Sequence, residues 1–216
     1  MNREFDLIIY GATGFTGRLA VEYIDNNYSD LKWAIAGRNS EKLTEISNST
    51  MSKPPIFVAR SDDAETLSDI VRKTRVIASL AGPFSKYSNE LVNQCYENET
   101  NYLDITGENI WVRDLIDRYH KGCEDKGIFI IPSCGYDSIP SDIGSFYCHM
   151  MLNENIDHID GYHAGKGGVS GGTIETAFNM KNYKSSYKIS HPFLLNSKEF
   201  INNNYNSKSK DKFSIK

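Results

Sequence analysis

The stretch Phe5 to Gly17, FDLIIYGATGFTG, restricts the fold more than any other part of the chain. Phe5 to Tyr10 is a continuous, β-rich apolar run, the pattern of a central parallel strand buried on both faces. Three glycines at a spacing of three then break it. Gly11 opens a turn, and Gly14 lacks the Cβ that would keep phosphate oxygens away from backbone N–H groups. Gly17 lets the following helix pack closely on the strand. That helix is expected over Arg18 to Asn27, with Leu19, Val21, Tyr23 and Ile24 as its apolar face. The G-x-x-G-x-x-G spacing is looser than the dinucleotide fingerprint G-x-G-x-x-G. Its position between a buried strand and a helix nevertheless favours a pyrophosphate turn over a chance loop. Gly11, Ala12, Thr13, Gly14, Phe15, Thr16 and Gly17 are therefore the candidate cofactor turn.

The strand and helix pattern then repeats. Further strands are expected at Leu31 to Gly37, Ile56 to Ala59, Arg75 to Ala81, Tyr102 to Thr106 and Ile128 to Pro132. Between them, helices are expected at Ser40 to Ser47 with Asn39 as N-cap, Asp63 to Lys73, Asn89 to Asn98 and Ile110 to Lys126. Such alternation indicates an α/β fold, a doubly wound parallel sheet of the Rossmann type, over residues 1–152.

Ligands of such sheets lie at the carboxyl ends of the strands. Those ends carry Gly37-Arg38-Asn39, Ser61-Asp62-Asp63, Gly82-Pro83-Phe84, Gly107-Glu108 and Ser133 to Asp137. After the second strand an acidic residue would accept the ribose 2′-OH of NAD, whereas an arginine pairs with the 2′-phosphate of NADP. The chain has Arg38 there and no carboxylate before Glu41, so NADP is favoured over NAD. The competing reading is an arginine solvated at a helix N-terminus. That is a poor place for a cation, because the helix dipole disfavours positive charge.

Charge and composition narrow the function classes. From Lys181 onward the chain carries +6, and the part before it −10. An acidic body argues against nucleic acid as a partner, since phosphate contacts need a basic face. Residues 196–216 form a polar Lys, Asn and Ser-rich tail, read as a solvated end. No apolar run approaches the ~20 residues that cross a bilayer. Cys95, Cys123, Cys134 and Cys148 show no C-x-x-C pairing, which suits free thiols in the cytoplasm. The five histidines lack the H-E-x-x-H or Cys/His pattern of a zinc site, so no metal is expected, and no G-x-S-x-G elbow offers a hydrolase nucleophile. Tyr28 to Lys32 and Tyr162 to Lys166 match Tyr-x-x-x-Lys. The first spans a connection on the wrong side of the sheet, and the second is embedded in glycines.

GATGFTG, AGR at 36 to 38, AGPF at 81 to 84, DITGE at 104 to 108 and CGYDSIPSD at 134 to 142 occur in an order and spacing that resemble the saccharopine dehydrogenase-like oxidoreductases. The resemblance is to the branch that includes trans-acting enoyl reductases, and it covers Phe5 to about Gly172. It implies an NAD(P)-binding Rossmann domain followed by a second domain whose mixed sheet covers the nicotinamide and forms the substrate pocket. By that resemblance Gly11 to Gly17 match the pyrophosphate loop, Arg38 the adenosine-phosphate end, and Gly82, Pro83 and Phe84 a segment beside the nicotinamide. The family continues that segment as GPF-x-x-YG; here Ser88 follows Tyr87.

In CGYDSIPSD, Gly135 permits a tight backbone, and Asp137 with Ser138 can cap a helix carrying Ile143, Phe146 and Tyr147. The alternative makes Tyr136 or Asp137 the proton donor or orienting group that reduction of a double bond requires besides hydride. Beyond this unit, residues 153–195 read as the start of an incomplete α+β domain for substrate or dimerisation. A strand is expected at Ile156 to Ala164, and a helix carrying Ile174, Ala177 and Met180. Members of the resembled family are roughly twice as long, so the chain reads as truncated.

Two functions stay open. One is an NADP-dependent oxidoreductase that moves hydride between nicotinamide and an unsaturated or imine-like substrate, small molecule or acyl. The other is a catalytically inactive NADP-binding module or sensor. An incomplete second domain leaves apolar surface uncovered, which predicts self-association or a complementing polypeptide.

Overall fold

A computed structural model describes residues 3–152, 158–164, 166, 171–181, 183, 185 and 193–203. Strands β1 (Phe5–Tyr10), β2 (Trp33–Gly37), β3 (Ile56–Val58), β4 (Thr74–Ser79), β5 (Asn101–Asp104) and β6 (Ile130–Ile131) form one sheet. Its order is β3-β2-β1-β4-β5-β6, with every pairing parallel. This is the doubly wound order, whose crevice opens where the chain reverses direction between β1 and β4.

Helices α1 (Phe15–Asn27), α2 (Ser40–Ser49), α3 (Ala64–Val71), α4 (Phe84–Tyr87), α5 (Asn89–Glu97) and α6 (Asn109–Lys126) alternate with the strands. Strand pleating sends successive side chains to opposite faces. Ile8 and Tyr10 enter a core with Leu67, Leu91 and Trp111, whereas Ile9 enters one with Val21, Ile35, Leu43 and Ile46. Asn39 caps α2 by accepting from the Lys42 N–H at 2.9 Å, and Asp63 caps α3 through Thr66 at 3.2 Å.

Several expectations are corrected. Helix α1 buries Gly17 and Val21, with Ala20 and Ile24 half-buried, while Leu19 and Tyr23 are exposed. At 100° per residue, positions 17, 21 and 24 share one face, and 19 and 23 another. Helix α7 (Ile139–Leu152) exists, but Ile143, Phe146 and Tyr147 are exposed and no residue of it is buried. Among the described residues neither Asp137 nor Ser138 makes a capping side-chain bond. The turn is closed instead by Ser138 and Ile139 N–H donating to the Gly135 carbonyl. Of the expected strand Ile156 to Ala164, residues 158–164 are exposed and not in a strand, with no ladder partner among the described residues, and residues 156–157 lie outside the described set.

Helix α8 (Gly171–Lys181) is present where a helix was expected. The stretch read as a solvated tail includes α9 (Lys198–Asn203), which reaches α6 through Lys198. The Arg113 guanidinium, 2% exposed, donates to the Asn196 carbonyl at 2.6 Å and pairs with Asp117 at 2.7 Å, and Lys198 reaches Asp117 at 3.3 Å. Polar composition hid this contact because the anchor is a buried arginine on another element.

Candidate cofactor cleft

A cleft of ≈ 330 Å³ opens at the carboxyl ends of β1 to β4. Tyr10, Gly11, Thr13 and Gly14 form its floor, and Gly37 and Arg38 its wall at β2. Arg60, Ser61 and Asp62 contribute from the end of β3, and Leu80, Ala81, Gly82 and Tyr87 from beyond β4.

The turn is built as its glycines require. Gly11 has φ +85°, and a Cβ there would stand 2.9 Å from the Ala81 backbone nitrogen, so the β1 turn and the segment after β4 touch only because Gly11 has no side chain. A Cβ on Gly17 would lie 2.8 Å from the Ala12 backbone, which sets how closely α1 follows the turn. Gly14 precedes α1 in extended conformation, no side chain caps the helix, and its first turn holds no acidic residue. The uncompensated N–H groups at this end suit an anion.

Arg38 is exposed at the end of β2 and forms no ion pair among the described residues. The Tyr10 hydroxyl on the floor donates to the Ala59 carbonyl at 3.3 Å. Burial pushes its pKa up to about 12, Arg38 works against this and Asp62 adds to it, so both charges act on the same floor. Arg60 and Asp62 form a bidentate pair, 2.9 Å for each bond, with both side chains largely exposed.

The structure separates the expected residues. Gly11, Thr13, Gly14, Arg38 and Gly82 line the cleft. Ala12 and Gly17 are buried beneath it, and Phe15 and Thr16 are exposed on α1. Pro83 and Phe84 are buried behind the wall, with the Phe84 ring stacked on Trp111 at 6.4 Å. Arg60, Asp62, Leu80 and Tyr87 were not singled out as cofactor residues. The rule that sites follow strand ends points to Asp62, but only the fold of α4 brings Tyr87 back to the cleft.

The DITGE turn is wholly internal at its acidic positions. Asp104 is buried, with Oδ1 accepting from the N–H groups of Thr106 (2.9 Å) and Ser133 (3.0 Å) and Oδ2 from the Tyr102 hydroxyl (2.8 Å). Burial pushes its pKa up to about 6, against the hydrogen bonds it receives. Glu108 is equally buried and accepts from the N–H groups of Phe84 (2.7 Å) and Ser85 (3.0 Å). Ser88, where the resembled family has glycine, has φ −109°, a conformation open to any residue, and its hydroxyl lies 3.4 Å from that of Ser79. Tyr136 is 70% exposed with its ring edge-on to His163, Asp137 is exposed, and neither lines the cleft.

The sequence profile of the saccharopine dehydrogenase NADP binding domain matches residues 7–131. The chain belongs to that family. NADP is accordingly its cofactor, and the uncapped α1 terminus, the close approach at Gly11 and Arg38, which has no ion pair among the described residues, fit that cofactor. A trans-acting enoyl reductase of Mycobacterium tuberculosis (strain ATCC 25618 / H37Rv) is 38% identical over 156 residues, covering 71% of this chain and 37% of the relative. A lipid droplet localized protein of Caenorhabditis elegans is 30% identical over 191 residues, covering 84% and 44%. The chain spans about half the length, or less, of the curated relatives it matches. Among solved structures, saccharopine dehydrogenase (L-Glu forming) from Saccharomyces cerevisiae superposes with a TM-score of 0.57 at 15% identity. That match covers 69% of this chain and 31% of the other, and bears on the fold alone. No helix among the described residues is long and apolar enough to cross a membrane.

Proposed function

We propose that this chain forms the NADP-binding half of an oxidoreductase that transfers hydride to an unsaturated or imine-like substrate, with an enoyl group favoured by the relatives' names. The observation that carries the reading is Arg38, unpaired among the described residues and set on the same cleft as the uncapped α1 terminus. The α1 N–H groups hold the pyrophosphate, and Arg38 takes the 2′-phosphate through charge-assisted hydrogen bonds. Because β2 and β4 flank β1 on opposite sides, the adenosine end runs toward Arg38 and the nicotinamide end toward Gly82.

NADPH supplies hydride to one carbon of the double bond, and a proton must reach the other. Tyr136 and Asp137 are the candidate donors. Their loop is held by the Ser133 N–H on the Asp104 carboxylate and the Cys134 N–H on the Asp104 carbonyl, which fixes where it leaves the sheet. Residues 1–152 are the cofactor unit in this reading, and 153–195 begin the substrate region. The exposed apolar side chains of α7 support a covering surface from further chain, a second polypeptide or self-association. Four free cysteines, two of them buried, suit the cytoplasm. The name of the C. elegans relative makes the surface of a lipid droplet the other placement, and cell fractionation separates the two.

Titration with NADPH followed by nicotinamide fluorescence tests the cofactor claim. Saturable binding is expected, weakened about 10- to 100-fold by Arg38→Ala. Absence of saturation, or indifference to that substitution, refutes it. A second reading, a module that binds NADP without turnover, is favoured by the exposure of Tyr136 and Asp137 away from the cleft. NADPH oxidation with an enoyl thioester supports the enzyme, and binding without oxidation of any acceptor supports the module.

A further inference from the structure

Glu108 is a fully buried carboxylate with no role in the proposed hydride or proton transfer. It stands 24 residues beyond Phe84, yet both of its oxygens are used on α4, receiving the N–H groups of Phe84 and Ser85. These are the first two residues of α4, whose opening N–H groups have no partner within the helix. The same short segment supplies Gly82 and Tyr87 to the cleft wall. Other bonds converge on it. The Asn89 amide donates to the Ser85 carbonyl, Trp111 Nε1 donates to Asn89 at 2.9 Å, and Asn179 of α8 donates to the Ser85 hydroxyl at 2.7 Å. At its own start Glu108 is held by its N–H on the Thr106 hydroxyl at 3.0 Å.

We infer that Glu108 is a positioning residue, which holds the Gly82–Tyr87 wall where the nicotinamide half of NADPH must lie while leaving the adenosine half untouched. The inference rests on the cofactor reading above, and the geometry supplies the asymmetry. Arg38 and the α1 terminus stand on β1 and β2, and none of the Glu108 contacts involves those strands. The two oxygens are not interchangeable with an amide. In Glu108→Gln, whichever way the side chain is turned, an NH2 faces a backbone N–H, and one donor of α4 loses its acceptor.

The experiment is calorimetric titration of the whole chain and of Glu108→Gln with two probes, NADPH and adenosine 2′,5′-bisphosphate, the latter carrying only the adenosine phosphates. The variant is expected to weaken NADPH about ten-fold and to leave the bisphosphate within about two-fold of wild type. Unchanged NADPH affinity, or equal loss for both probes, overturns the inference. Should Glu108→Gln fail to fold, Thr106→Val removes the acceptor that steadies Glu108. The same imbalance between the probes is then expected at smaller amplitude, and a balanced loss or none overturns the inference. A wild-type chain that binds neither probe refutes the cofactor reading itself, a result distinct from either.

Discussion

Gly17 lies against the carbonyl of Gly11, so that a methyl group on Gly17 would overlap that oxygen and stand 2.8 Å from the Ala12 backbone. Both neighbours are main chain and belong to the turn itself, so neither can swing aside. Gly17→Ala is expected to lower stability by about 1–3 kcal/mol and to weaken NADPH by displacing α1 from the turn. Urea unfolding measures the first effect and fluorescence titration the second. An alanine variant with wild-type midpoint and affinity would show that α1 can shift freely.

Arg60 shares the cleft with Arg38 but is engaged by Asp62. Hydrogen bonding with Arg60 holds the Asp62 carboxyl below its ordinary range, and both groups are solvent-exposed. Removing the acid frees a cation beside the proposed 2′-phosphate position. Asp62→Asn is expected to tighten NADPH about two- to five-fold at low salt, and Arg60→Ala to weaken it by a similar factor. Both changes should shrink in high salt and be absent with NADH. Equal effects on NADH and NADPH would place these residues away from the 2′-phosphate.

Asp104 holds its proton more tightly folded than unfolded, its pKa rising from 3.8 to about 6 through burial. Such a group lends stability below the ordinary carboxylate range and loses it as pH rises through the folded pKa. Between about pH 4 and pH 6 its contribution therefore falls by roughly 2 kcal/mol. Asp104→Asn is close to isosteric. Its carbonyl keeps the Thr106 and Ser133 donors, and its NH2 faces the Tyr102 hydroxyl, which can accept. The stability gap between wild type and variant should change by that amount across the window, the wild type gaining on acidification. Chemical denaturation at several pH values checks this, and parallel curves would contradict it.

Arg113, paired with Asp117 on the same helix, ties α6 to the segment before α9 through the Asn196 carbonyl. Arg113→Met keeps the bulk and removes the donors, and is expected to lower stability by about 1–3 kcal/mol. Limited proteolysis should then cut near Leu194 sooner than in wild type. Unchanged protection there would mean that packing of Leu194, rather than the guanidinium, holds the segment.

The sheet was legible because its information is local. The run Phe5 to Tyr10 is β1 to the residue, and Asn39 and Asp63 cap helices as their side chains permit. The turn was legible for the same reason at Gly17, which answers to Gly11 and Ala12 beside it, whereas the close approach of Gly11 to Ala81 crosses to the segment after β4. Helix α4 was not, since its four residues are too few for periodicity and its N-terminus is capped by Glu108 from a distant loop. Phe84 matched a cofactor segment by motif, yet the ring turns into the core against Trp111, a partner that nothing local announces. For α7 the apolar residues were visible in the sequence, but what they face is decided outside the helix.

The place of β1 in the sheet has a kinetic consequence. It is made before every other strand of the sheet, yet it lies at the centre, and its partner β4 begins only at Thr74. Arg3, just before it, donates to the carbonyls of Arg72 and Asn98, each at 2.6 Å. Strand β1 must therefore wait, apolar and half-paired with β2, until β4 has been made. Closing a loop of that length adds little to the final free energy but delays the step that completes the core. The nascent chain is thus most prone to aggregate while its best-formed strand lacks one neighbour.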